Sequence, residues 1–98
     1  MKLGIVVGQV VATRKDENLT GSKLLILRPC APGQDEDSEL VAVDTVGSGV
    51  GETVLYVRGA VASRAMRCAD APVDASIVAI VDRIDRYRKE GDTWIICR

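Results

Sequence analysis

The apolar runs of this sequence are short and rich in Val and Ile, and Gly, Pro or a polar cluster cuts each of them off. That punctuation constrains the fold most, because short β-branched runs bounded by turn residues are strands. Leu3 to Thr13 reads as the first strand, with Gly4 and Gly8 at points of bending or close backbone approach. The polar stretch Arg14 to Ser22 is a hairpin connection, and "KLLILR" forms a second strand stopped by Pro29. Pro29 to Asp37, "PCAPGQDED", is a loop. "ELVAVDTV" and "TVLYVR" are two further strands on either side of a glycine-rich segment.

In "GAVASRAMRCADAP" the strand signal lapses, and Ala62 to Cys68 is expected to form a short helix closed by Pro72. "SIVAIVDRIDRY" opens with five consecutive apolar residues, so it is expected to be a strand buried on both faces. A turn at Glu90-Gly91 leads into a last strand. Five or six strands with one short helix make a mainly all-β chain, and the regular turns point to a small closed or nearly closed barrel. All 98 residues are read as a single domain.

A barrel this small buries only about 60–65% of the surface of its unfolded chain. The chain is 47% hydrophobic but 3% aromatic and has no Phe, so Val, Ile, Leu and Ala must build the core. That apolar share hints that some surface is covered by another copy or a partner. Thirteen basic and fourteen acidic residues leave a net charge of −1, which argues against nucleic acid as a partner. No run approaches the ~20 residues a membrane-spanning helix needs, so no membrane association is expected. "MKLGIVVGQVVATRK" is interrupted by Gly4, Gly8 and Gln9 and reads as mature structure rather than a signal peptide. Cys30, Cys68 and Cys97 are odd in number and unpaired in spacing, and the chain has no His. They read as reduced thiols in a cytosolic protein, with no metal site and no cofactor.

The segment Gly47-Ser48-Gly49-Val50-Gly51-Glu52 first suggests a phosphate cradle. Such cradles open a helix, whose N-terminal N–H groups hold the phosphate. Here a strand follows, no Lys closes the motif, and Glu52 would repel the anion. The glycines are either turn residues at positive φ or a place where backbones crowd together.

"MKLGIVVGQVVATRK", "GSKLLIL", "VAVDTVGSGVGETVLYVRG" and "APVDASIVAIVDRID" occur in that order, and together they resemble the EutN/CcmL family of bacterial microcompartment vertex proteins. The most specific piece is VDxVGxGxGExVL at Val43 to Leu55, with Pro72-Val73-Asp74 behind it. The resemblance implies a five-stranded OB-like barrel with a C-terminal β extension, assembling as a cyclic pentamer. It implies a non-enzymatic structural role in the cytoplasm, at the vertex of a polyhedral shell, with hexameric shell proteins as partners. Departures are Gly59 to Arg64, where the family has a more compact Gly-Ser-Ser-Ala-Arg, and Ser48, where it frequently has Ala.

On this reading Gly47, Ser48, Gly49, Val50, Gly51 and Glu52 lie at a subunit interface or five-fold axis, and Arg14 and Asp74 are further interface candidates. Heterologous contacts between unlike patches are what close a ring. Asp44 and Glu52 could form a catalytic carboxylate pair, but Glu52 is expected to accept backbone N–H groups or an Arg. Asp74 reads as a turn residue acting through its side-chain acceptor. "DRIDRYRKEGD" is a solvated surface or a rim facing neighbours, and Trp94 is a core plug or an interface anchor. The alternative function is an OB-like module holding a small ligand or single-stranded nucleic acid, which normally demands stacking aromatics in a basic groove.

Overall fold

The computed structural model describes residues 1–12, 21–30, 38–59, 62 and 73–97. Seven strands lie among them: β1 (Lys2–Val10), β2 (Lys23–Pro29), β3 (Leu40–Asp44), β4 (Thr53–Arg58), β5 (Ala75–Val81), β6 (Arg86–Glu90) and β7 (Thr93–Cys97). The first five close into a barrel in the order β1-β2-β3-β5-β4, with β4 pairing back onto β1. Every barrel pairing is antiparallel except β3 with β5, which run parallel through Val43–Ser76 and Asp44–Ile77. Closure leaves no strand edge open around the barrel.

The core follows from period-two alternation, which sends every second side chain inward. Leu25 and Leu27 from β2, Val54 and Tyr56 from β4, and Ala75 and Ile77 from β5 meet Val6 and Ala42 in the interior. Tyr56 is the one aromatic in this core, since Tyr87 and Trp94 are exposed. Its ring fills the centre and sets the demand on β1 opposite. A Cβ on Gly4 would stand 3.1 Å from Tyr56 Cε1, so glycine there admits the ring. The close approach expected at Gly4 is what the barrel contains. Register shifts between Val6 and Gly8, and between Leu55 and Tyr56, bend the sheet where it must curl to close.

Two sequence expectations change. The run "SIVAIVDRIDRY" is not one strand: β5 ends at Val81 and a new strand, β6, begins at Arg86. Only Ala75 to Ile77 are buried consecutively, while Val78 to Val81 are half-buried, so the run is two-sided only at its start. The last turn is Gly91-Asp92, one residue later than expected, and Glu90 is the final residue of β6. The expected helix over Ala62 to Cys68 lies outside the described residues apart from Ala62, which is helical and buried.

The β6–β7 hairpin forms its own two-stranded sheet. All five residues of β6 are exposed, and the two strands pack chiefly on each other.

Candidate functional site

β3 ends at Asp44 and β4 begins at Thr53, so the glycine segment is the loop between two strands that β5 separates in the barrel. Thr45 Oγ1 donates to Ile77 O at 2.6 Å and ties the start of the loop to β5. The Asp44 carboxylate then folds the loop over itself: Oδ1 accepts from Ser48 Oγ at 2.8 Å and from Val46 N at 3.2 Å. Lys23, directly opposite Asp44 across the β2–β3 ladder, donates to Ser48 O and lies 3.6 Å from Asp44 Oδ2.

Burial alone raises the Asp44 pKa. The Ser48 hydroxyl, the N–H groups of Ser48 and Val46, and the Lys23 ammonium outweigh it, holding the carboxyl below its ordinary value of 3.8.

The far end of the loop is fixed as firmly. Glu52 Oε1 accepts from Gly49 N at 2.7 Å, and Glu52 N donates to Gly49 O at 3.2 Å. Gly51 N donates to Val6 O at 2.8 Å and Val6 N to Glu52 O at 3.0 Å, which stitches the loop onto β1. Gly47 and Gly51 hold φ of 81° and 93°, where a side chain is strained. They are turn glycines. Gly49 has no positive φ, and a Cβ there would meet only Glu52 Oε1, at an ordinary 3.5 Å.

This geometry explains why the loop is no phosphate cradle, since a carboxylate already occupies the Gly49 N–H. Asp44 and Glu52 each commit an oxygen to separate loop donors, Ser48 and Val46 for the one and Gly49 for the other. The loop presents two apolar side chains, Val50 at 66% and Val46 at 40% exposed, beside the exposed Thr45 and Glu52. Ser48, by contrast, is fully buried. Its hydroxyl is a structural pin that sequence reading passed over as a conservative stand-in for Ala. Lys23 was also missed, because its link to Asp44 spans the β2–β3 pairing and no local motif reports it.

The other candidates lie elsewhere. Asp74 stands at the approach to β5, and its carbonyl, rather than its carboxylate, takes the Gly59 N–H at 2.8 Å. It shares an open groove with Leu24, Val41, Val43 and Val73 instead of joining the glycine loop. Arg14 lies outside the described residues. Trp94 is 62% exposed and is not a core plug. Cys30 is half-buried and free, and Cys68 lies outside the described residues.

The strand order and closure define a small OB-like barrel. Residues 1–82 match the family model described as ethanolamine utilisation protein EutN/carboxysome, and the chain belongs to this EutN/CcmL family. It is 42% identical over 91 residues to the carboxysome shell vertex protein CcmL of Thermosynechococcus vestitus, covering 88% of each chain. It is 39% identical over 85 residues to the bacterial microcompartment shell vertex protein EutN of Escherichia coli, covering 86% of this chain and 90% of that one. Among solved structures, it resembles the GrpN pentameric microcompartment shell protein of Rhodospirillum rubrum with a TM-score of 0.75 and 40% identity, covering 88% of this chain and all of that one.

Proposed function

We propose that this protein is a structural vertex subunit of a bacterial microcompartment shell, that five copies close into a ring, and that the ring meets hexameric facet proteins. It acts by shape and contact rather than by catalysis. A flat array of hexagons cannot close, and a five-fold unit supplies the missing curvature. All 98 residues act as one domain in this role.

The observation that carries the reading is the glycine loop itself. Hydrogen bonds from Thr45, Ser48, Gly49 and Gly51 hold it rigid while it offers Val46 and Val50 to the outside. A rigid loop with an apolar tip suits a contact with another chain, because little freedom is lost when it is covered. The vertex proteins to which the chain is similar indicate what kind of contact that is. In this reading Gly47 to Glu52 lie at the subunit boundary, and Gly49 leaves space for a neighbour. Arg14 and Asp74 are further boundary candidates.

The nucleic-acid alternative gains nothing from the hairpin's arginines. Within the hairpin Arg88 pairs with Glu90 at 3.0 Å, and just before it Arg83 pairs with Asp85 at 3.1 Å, so two of the cations there already face carboxylates. Native mass spectrometry of the full chain is the test. A dominant five-chain species is expected, and a monomer at every concentration would overturn the proposal.

A further inference from the structure

The glycine loop is anchored in two halves, each to a different barrel strand. Its far half is tied to β1, through Gly51 N to Val6 O and Val6 N to Glu52 O. Glu52 closes that half on Gly49, and Val50 stands between them with its side chain exposed. In the near half, Asp44 closes on Val46 and Ser48, residues two and four positions further on. These bonds are local, so by themselves they would let the near half swing as one piece about the end of β3.

Lys23 removes that freedom. It lies on β2, 25 positions before Ser48, and its ammonium donates to the Ser48 carbonyl. The same ammonium faces Asp44 Oδ2 at 3.6 Å. An ammonium carries three donors on a flexible stem, so one Lys can hold both acceptors at once. Both belong to covered groups, since Ser48 is fully buried and the Asp44 side chain nearly so. Without the ammonium, a carbonyl and a carboxylate oxygen would lose this donor inside the fold, where stranded polar groups are costly. The barrel strands are held by their ladders, so the less costly relief is for the near half of the loop to lift toward water. Val46, exposed on that half, would move with it.

We infer that Lys23 is a positioning residue for the loop contact: acting through Ser48 and Asp44, it fixes Val46 relative to Val50, so that both meet a neighbouring copy together. Fixing the two in advance lowers the ordering cost of the contact. The contact role rests on the ring reading above, whereas the hold of Lys23 on the loop does not.

The test is Lys23→Met in the full chain, read by amide hydrogen exchange at single residues and by native mass spectrometry on dilution. The Val46 and Ser48 amides both bond to Asp44. They are expected to exchange about tenfold faster or more, the scale of one lost charged hydrogen bond, while Gly49 and Gly51 keep their protection. The ring is expected to fall apart at dilutions where that of the unaltered chain persists. Lys23→Arg, which keeps a cation with several donors, is expected to restore both. A second reading needs no variant: the Lys23 ammonium protons of the unaltered chain are expected to exchange with water more slowly than those of lysine free in the same buffer. Unchanged loop protection in Lys23→Met, or a Lys23 ammonium exchanging as fast as free lysine, overturns the hold on the loop and leaves the five-fold reading standing. Protection lost throughout β1 to β5 overturns it as well, because Lys23 would then support the barrel rather than place the loop. A freed loop in a ring as stable as the original overturns the contact role alone. A chain monomeric at all concentrations overturns the five-fold reading and the contact role, and the exchange rates still decide the hold.

Discussion

Asp44 decides whether the glycine loop keeps its shape. Its carboxylate is 3% exposed and accepts two hydrogen bonds from the loop it closes. Because its folded-state pKa lies below the unfolded value, its contribution is complete above the ordinary aspartate range and is lost as pH falls through the lower folded value. Asp44→Asn is expected to cost about 1–3 kcal/mol at neutral pH and to flatten the acid limb of the unfolding profile. Thermal melts at neutral and acid pH would show both effects. Gly49 separates loop shape from loop contact. A Cβ fits there within the single chain, so Gly49→Val is expected to preserve the fold while weakening the ring. A Gly49→Val ring as stable to dilution as the original would show that no neighbour approaches that position. The turn glycines and the acceptor role of Glu52 were legible in the sequence, because both are local. The Ser48 and Lys23 pins were not, because their partner Asp44 is fixed only once β2, β3 and the loop have come together.

At the scale of elements, β2, β3 and β4 were readable within a residue or two. Pro29 ends the second strand, and glycines separate the third from the fourth. The border between β5 and β6 was not readable. Asp82 to Asp85 place one apolar residue, Ile84, among charged ones, with no Gly or Pro to mark the break. That concealed the hairpin's independence and left Trp94 ambiguous. Its position settles what Trp94 contributes to the single chain. Exposed residues away from special contacts change stability by roughly 0.5 kcal/mol or less when replaced. Trp94→Ala should therefore leave the denaturant midpoint of the dissociated chain nearly unchanged, and a large drop would place Trp94 in the barrel's own packing.

For the whole molecule, composition pointed to burial against something else, and the positions of the exposed residues are in keeping with that. Val46 and Val50 sit on the loop, Tyr87, Trp94 and Ile96 on the hairpin, and Val41 at the groove. A folded state that includes its neighbours is stabilised by mass action, so the melting temperature of the intact protein should rise with protein concentration. Scanning calorimetry over a wide dilution series would check this, and a concentration-independent transition would mean the chain folds and melts alone. The barrel was legible as a whole because its strands are short and evenly spaced. Ring contacts were not, since no single-chain pattern states which outer face meets which.

A closed barrel has no loose border, but a two-stranded ribbon has two. Along β6 that border carries Arg86, Arg88, Lys89 and Glu90, and such charges deter another strand from adding on. Along β7 it reads Thr-Trp-Ile-Ile-Cys, with no charge at all. A subunit made in excess of its companions therefore keeps one adhesive margin, where surplus chains would join edge to edge.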